Sequence, residues 1–269
     1  MNVPKVPTDV LDRVPGWQGA DSSVLDGGFS NNTWLLEKGG RKAVLKFDRA
    51  LRGAPYNTRY EEARVQSAAA EVGLANPVLY VDDRILLCEY AYGDVWAPAS
   101  FSEPQNLERL AGALLRLHAL PPTGRSFDAA AAAAIYAQDI NRDHGLVAMC
   151  MDIASDSGKP ARACCCHNDL VAENIISIPS LRFLDWEYAC DNDPLFDLAT
   201  LVEHHGLSEE STAHLLDAYF DGDGERWQPG LRLQQRLYQA LLWLWLASRP
   251  AAQYADLERA AGRLVTSCS

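Results

Sequence analysis

The chain has 269 residues, of which 48% are hydrophobic, and its formal net charge is −12 at pH 7. This length and composition allow a large buried core and a division into two lobes. The acidic charge argues against binding to nucleic acid or to an anionic membrane, because both need a basic face, and it favours a cationic substrate.

Neither a membrane span nor a secretion signal is evident in the sequence. There is no long uncharged apolar run, and the N-terminus has no apolar signal-peptide core. The seven cysteines form no Cys-x-x-Cys pair, which indicates reduced thiols rather than a disulfide framework or a zinc site. We therefore expect a cytoplasmic protein with no membrane partner.

The N-terminal part, residues 1–92, predicts a small, strand-rich lobe. A polar turn that contains Gly28, Ser30 and Asn31 leads into a strand, and Arg41–Phe47 is the next strand, with Lys46 near its end. Glycine lets backbone amides approach phosphate groups, and a lysine at this place would contact the α and β phosphates of a nucleotide. The turn and Lys46 are therefore candidate nucleotide-binding residues.

A lysine inside an apolar strand needs a carboxylate partner, which we expect on the helix that follows. That helix is predicted over residues 58–72 and offers Glu61 and Glu62. Its apolar positions do not fix which face is buried, so both glutamates remain candidates, and both could also be solvated surface charges.

Two further strands follow, at residues 78–81 and 84–91. Backbone groups that follow such a strand are candidates for recognising the adenine edge of a bound nucleotide. By their order along the chain, Glu89 and Ala91 are these candidates, and the domain boundary is predicted near Tyr92. In the C-terminal part, residues 93–269, the spacing of the apolar residues predicts mostly helices.

The segment at residues 167–174 carries the strongest chemical signal. Asp169 is followed five residues later by Asn174, and Asp185 lies beyond a predicted short hairpin. A kinase-type catalytic loop uses these residue types in this order, with Asp169 accepting the proton of the attacking hydroxyl and Asn174 and Asp185 binding Mg²⁺ at the phosphates of ATP. The sequence therefore predicts phosphoryl transfer.

Three consecutive cysteines, Cys164–Cys166, lead into this loop. Adjacent residues of a strand point to opposite faces, so the three thiols cannot all bind one ion. Strand packing is the predicted role of this run.

Residues 167–174, 183–189 and 192–199 resemble the choline/ethanolamine kinase and aminoglycoside phosphotransferase superfamily, especially bacterial choline kinases of the lipopolysaccharide-decorating type. Asn168 follows the loop histidine, where aminoglycoside kinases usually carry glycine. The resemblance implies an α+β, bilobal protein-kinase-like fold with a strand-rich N-lobe, a mostly helical C-lobe, and ATP and Mg²⁺ as cofactors.

The resemblance also implies roles for individual residues. It favours Glu62 over Glu61 as the partner of Lys46, and it makes Asp197 a brace of the catalytic loop, although Asp197 could also cap a helix. His118 matches the family's Leu-His pattern, for which a structural hydrogen bond is the favoured interpretation.

A cationic alcohol would be bound by aromatic faces backed by a carboxylate. Tyr188 matches the family tyrosine that faces choline, with Glu187 beside it, and Trp243 and Trp245 lie on a late apolar helix like one in choline kinases. Residues two apart on a helix differ by roughly 200°, so only one tryptophan can face the site. Packing of both in an apolar helix is the alternative.

The sequence thus predicts an ATP- and Mg²⁺-dependent kinase for the hydroxyl of choline or a related amino alcohol. Thiamine kinase and aminoglycoside O-phosphotransferase are the alternative enzymes. A nucleotide-binding pseudokinase is the non-enzymatic alternative, but the presence of Lys46, Asp169, Asn174 and Asp185 argues against it.

Overall fold

The computed structural model describes residues 6–25, 32–158, 160, 162–177, 180–249 and 254–266. The chain forms two compact units: unit 1 is Met1–Val95 with Glu173–Ala189, and unit 2 is Trp96–Ala172 with Cys190–Ser269. The sequence predicts a single boundary between residues 92 and 93, which stays a prediction. Unit 1 also includes the later segment Glu173–Ala189, which a single boundary assigns to the C-terminal lobe.

Unit 1 is built on a five-stranded antiparallel sheet in the order β1-β2-β3-β5-β4. Its strands are β1 Asp21–Val24, β2 Asn32–Lys38, β3 Arg41–Phe47, β4 Val78–Val81 and β5 Ile85–Glu89. The helix α1, Thr8–Asp12, lies in an N-terminal segment whose apolar side chains cover one face of the sheet. Leu45 of β3 points into this core. Because strand residues alternate between faces, Lys46 projects from the opposite face.

Helix α2 spans Arg59–Glu71 and packs against β4, β5 and the turn at Trp186–Tyr188. Thr58 caps its first turn, because the Thr58 side chain accepts a hydrogen bond from the backbone N–H of Glu61. The helix ends before Gly73, whose φ of +76° is a left-handed conformation that suits a residue without a Cβ atom. The prediction of a helix in this region is confirmed.

The later segment of unit 1 is a short hairpin of β7, Ile175–Ile176, and β8, Arg182–Phe183. Backbone contacts join it to the N-terminal part, since Ser177 N–H donates to Asp94 O at 3.1 Å. The turn after it is also fixed, because Asn57 Nδ2 donates to the carbonyls of Trp186 at 3.1 Å and Ala189 at 2.8 Å.

Unit 2 is mainly helical and contains one small sheet. Strand β6, Cys164–Cys166, pairs antiparallel with β9, Cys190–Asn192. The helices are α3 Pro104–His118, α4 Ala129–Ala137, α5 His144–Asp156, α6 Pro194–His205, α7 Glu209–Tyr219, α8 Gln228–Ala247 and α9 Tyr254–Thr266. Helix α8 packs against α4, α5, α6 and α9, and α3 packs against α7. The predicted α+β class is confirmed.

Within the described ranges, no helix is both long and apolar enough to cross a membrane.

Candidate active site

Lys46 lies at the centre of an ionic arrangement in unit 1. Its Nζ donates to Glu62 Oε1 at 2.7 Å and to Asp185 Oδ1 at 2.8 Å. Glu62 is fully buried, whereas 27% of the Asp185 side chain is exposed. Burial opposes the charge of Lys46, but the carboxylates of Asp185 and Glu62 outweigh it and raise the Lys46 pKa. Lys46 is therefore held as a cation beside the open carboxylate of Asp185.

The structure distinguishes the two glutamates of α2. Glu61 Oε2 accepts a hydrogen bond from the backbone N–H of Thr58 at 2.8 Å, so Glu61 completes the capping box of the helix. Glu62 lies one position further around the helix and contacts Lys46. Burial opposes its charge, yet Lys46 and the neighbouring arginines lower the pKa of Glu62 below its ordinary value.

Two arginines that the sequence analysis did not identify complete this arrangement. Arg59 is fully buried and binds Asp48 with two nitrogens, at 2.6 and 2.8 Å, while its Nη1 donates to Glu62 at 2.7 Å. Arg52 Nη2 donates to Glu187 Oε2 at 2.6 Å. Arg59 follows the helix cap and stands three residues before Glu62, and this spacing was the available signal.

The cluster of Lys46, Arg52, Arg59, Asp48, Glu62, Asp185 and Glu187 contains three cations and four carboxylates. Burial and the charge of Asp185 raise the pKa of Glu187, although Arg52 acts against them. Counted alone, these seven residues carry one more carboxylate than cations, which is compatible with a divalent cation beside Asp185.

Asn174 and Asp185 lie at the two ends of the β7–β8 hairpin. The carbonyl of Asn174 accepts a hydrogen bond from the backbone N–H of Leu184 at 2.8 Å, which places Asn174 beside the residue before Asp185. Asp185 itself has a φ of 62°. An amide oxygen and a carboxylate are the hard oxygen ligands that Mg²⁺ prefers, so the donor set fits this ion.

Asp169 lies in unit 2, on a loop that Asp197 holds from α6. The carboxylate of Asp197 accepts hydrogen bonds from the backbone N–H groups of His167 at 2.9 Å and Asn168 at 2.7 Å. Asn168 has a φ of 65°, and its Oδ1 accepts from Asn192 Nδ2 at 2.8 Å. Asp169, the next residue, is half-buried.

Asp197 is not the helix cap. The cap of α6 is Asp193, whose carboxylate accepts from Leu195 N–H at 2.9 Å, whereas Asp197 is fully buried. His118 Nε2 lies 3.0 Å from Asp197 Oδ2, so His118 makes a structural hydrogen bond. The buried carboxylate therefore ties together the end of α3, the start of the loop and helix α6.

The predicted substrate residues occupy different environments. In unit 1, the ring centroid of Tyr188 lies 5.0 Å from that of Tyr56, and Glu187 is buried in its ion pair with Arg52. In unit 2, Trp243 is 2% exposed and belongs to the core around α8. Trp245 is half-buried, with the Arg249 guanidinium 4.7 Å from its ring centroid. Trp243 is thus the core tryptophan of the pair.

The predicted hinge follows β5. Glu89 N–H donates to Pro77 O at 2.9 Å, so it is already engaged within unit 1. Ala91 is half-buried and lies beyond the end of the strand. Gly28, Ser30 and Asn31 lie outside the described residues.

Comparison with known proteins gives consistent matches. Residues 21–234 match the family described as "Phosphotransferase enzyme family". Protein LicA of Haemophilus influenzae is 31% identical over 208 residues, which are 72% of this chain and 61% of that protein. The chain thus spans less than two thirds of this relative's length.

Two solved structures have the same fold. Choline kinase LicA from Streptococcus pneumoniae matches with a TM-score of 0.78 and 20% identity over 96% of this chain and 97% of that one. A structure of LicA in complex with AMP matches with a TM-score of 0.74 and 19% identity over 97% of both chains. The predicted kinase-like fold and superfamily are confirmed.

Proposed function

The chain belongs to the phosphotransferase enzyme family, and from this premise we propose that it transfers the γ-phosphate of ATP to the hydroxyl of choline or a related amino alcohol. The observation that carries the transfer is the contact of Lys46 with Glu62 and Asp185. The proposal of choline or an amino alcohol as the acceptor rests on the likeness to choline kinase LicA over nearly the whole chain. The use of a nucleotide is supported by the LicA structure that contains AMP.

Unit 1 supplies the proposed nucleotide and metal residues. Lys46, fixed by Glu62, would contact the α and β phosphates as a permanent cation. Asn174 and Asp185 would hold Mg²⁺, and the excess of one carboxylate over the cations in the cluster around Lys46 is compatible with a cation there. Mg²⁺, when bound, bridges the phosphates and neutralises charge that develops on them.

Further nucleotide contacts are proposed at the hinge and in the polar turn. Ala91 is preferred to Glu89 as the reader of the adenine edge, since Glu89 N–H already binds Pro77. We propose, from the sequence alone, that Gly28, Ser30 and Asn31 contact the phosphates of the nucleotide.

Unit 2 supplies the proposed proton acceptor, Asp169. A carboxylate oxygen of Asp169 would receive the proton of the acceptor hydroxyl as the oxygen attacks the phosphorus atom. The preceding residues are fixed by Asp197, so the loop would not have to be ordered when the substrates bind.

The acceptor's cationic group is proposed to meet aromatic faces. Tyr188, supported by Tyr56, offers a ring in unit 1, and Trp245 is the preferred tryptophan because Trp243 belongs to the core. Glu187 is proposed to contribute negative charge rather than a direct contact, since Arg52 binds its carboxylate.

The test is phosphoryl transfer from ATP to choline, ethanolamine, thiamine and an aminoglycoside, measured for the wild type and Asp169→Asn. We expect the highest kcat/KM for choline or ethanolamine and a loss of roughly 10²–10⁴ in kcat in the variant, with ATP binding retained in calorimetry. A higher kcat/KM for thiamine or the aminoglycoside would make that compound the acceptor in place of choline or ethanolamine. A variant that keeps more than about a tenth of kcat would remove Asp169 from its role, and a wild type with no turnover would favour a pseudokinase.

A further inference from the structure

A group of metal-binding side chains in unit 2 has no part in the proposed phosphoryl transfer. Cys164 and Cys166 are two residues apart on β6, so their side chains lie on the same face, and α3 packs against this strand. One ligand atom each from Cys164, Cys166 and His118, at the end of α3, lies within 4.8 Å of the other two. Cys165, the residue between them, points to the other face.

The two sulfur atoms already have the separation of a metal site. Cys164 Sγ and Cys166 Sγ are 3.7 Å apart. A tetrahedral zinc ion with Zn–S bonds of about 2.3 Å places its two sulfur ligands about 3.8 Å from each other. Binding would therefore require little movement of the strand.

The hydrogen bonds of His118 indicate which of its ring nitrogens could bind a metal ion. Its Nε2 lies 3.0 Å from Asp197 Oδ2, and because an ionised carboxylate only accepts hydrogen bonds, Nε2 carries the hydrogen. The lone pair is then on Nδ1, which lies 2.6 Å from the hydroxyl oxygen of Tyr219. A carboxylate behind the histidine is the usual means of fixing the tautomer and ring of a metal ligand.

We propose that Cys164, Cys166 and Nδ1 of His118 form a binding site for one thiophilic divalent cation of the zinc class. Each thiol gives its proton to solvent as its sulfur binds the ion, so two thiolates balance the two positive charges. Tyr219 releases its hydrogen bond to Nδ1, and its oxygen or a water molecule takes the fourth position. Mg²⁺ does not compete, because it prefers oxygen ligands.

The surroundings are compatible with such a site. Cys166 is buried and Cys164 is half-buried, which leaves one side of the pair accessible to an ion. Because the thiols lose their protons when the ion binds, affinity for the ion increases with pH.

The experiment uses the metal-free full chain with a phosphine reductant and no nucleotide or acceptor. Co²⁺ is titrated as a spectroscopic probe, and Zn²⁺ is then added to displace it. We expect thiolate-to-cobalt charge-transfer bands and the visible bands of a tetrahedral ion, and these bands should saturate at one Co²⁺ per chain. Cys164→Ser and Cys166→Ser should each weaken Zn²⁺ binding by more than about tenfold. Cys150→Ser, a buried cysteine of α5, is the matched control and should bind as the wild type does.

The proposal is overturned if the wild type gives no charge-transfer band, or if Cys164→Ser and Cys150→Ser bind Zn²⁺ equally well. Thermal melting of each variant shows whether it is folded. If Cys166→Ser unfolds, the half-buried Cys164 alone decides the test. No phosphoryl transfer is measured, so this result is independent of the proposed enzymatic activity.

Discussion

The substitution Asp197→Asn tests how the catalytic loop is held. The carboxylate accepts from His167 N–H at 2.9 Å, Asn168 N–H at 2.7 Å and His118 Nε2 at 3.0 Å. An asparagine has one acceptor oxygen, and its NH₂ group would face at least one of these donors. The loss of one charge-assisted bond in a fully buried place, with weakening of the others, should destabilise the protein by about 2–4 kcal/mol.

The assay combines thermal melting with steady-state kinetics. We expect Tm to fall by roughly 5–15 °C and kcat to fall about a hundredfold, because a displacement of about 1 Å in a catalytic group has an effect of this size. The KM for ATP should change little, since the proposed nucleotide residues lie in unit 1.

Asp193→Asn is the matched control on the same helix. Asparagine caps a helix as well as aspartate does, so the bond from Leu195 N–H should persist and both measurements should stay near wild type. Equal Tm and kcat values for the two variants would show that Asp197 does not brace the loop.

Three further outcomes are expected. Asp185→Ala should weaken binding of Mg²⁺-ATP far more than binding of adenosine in calorimetry, because the lost interaction acts through the cation; equal losses would make Asp185 structural. The lowered pKa of Glu62 stabilises the folded state above its ordinary value of 4.5, and this contribution is lost as the pH falls through the lowered value. In urea unfolding, the free energy of unfolding of the wild type should therefore fall below about pH 4.5. Glu62→Gln should make this free energy less dependent on pH, whereas an equal pH dependence of the two proteins would contradict the assignment. Tyr188→Ala should raise the KM for choline roughly ten- to a hundredfold with little change in the KM for ATP. Trp243→Ala should lower the free energy of unfolding by about 3–5 kcal/mol without a selective effect on the KM for choline. If Trp243→Ala also raised the KM for choline selectively, the assignment of Trp243 to the core would be wrong.

Local patterns in the sequence identify many residues of the proposed site. The proposed catalytic loop and the hairpin before Asp185 lie within a short stretch of chain, so their spacing can be compared directly with that of a kinase-type loop. Lys46 was recognisable because a charge in an apolar strand needs a partner. The preference for Glu62 over Glu61, which the resemblance gave, also follows from a local pattern, since Thr58-x-x-Glu61 is a capping-box signature that assigns Glu61 to the helix end.

The rest of the site depends on contacts between distant parts of the chain. Arg52 lies 135 residues before Glu187, and no local pattern connects them. The orientation of Trp243 and Trp245 depends on which helices pack around α8, because a helix that is apolar on most sides has no unique buried face. The same holds for His118, which approaches Cys164 and Cys166 only through the packing of α3 on β6.

The return of Glu173–Ala189 to unit 1 has a consequence for biosynthesis. Ala189 follows Val95 by 94 residues (189 − 95 = 94), so at about 5–20 residues per second a ribosome needs roughly 5–20 s to supply the missing piece. Until then, Lys46 lacks Asp185, and Asn57 lacks the two carbonyls that its side chain binds. All five strands of the N-terminal sheet are made before this interval, but unit 1 remains incomplete while the first part of unit 2 is translated. During this time the surfaces that the later segment will cover are open to chaperones and proteases.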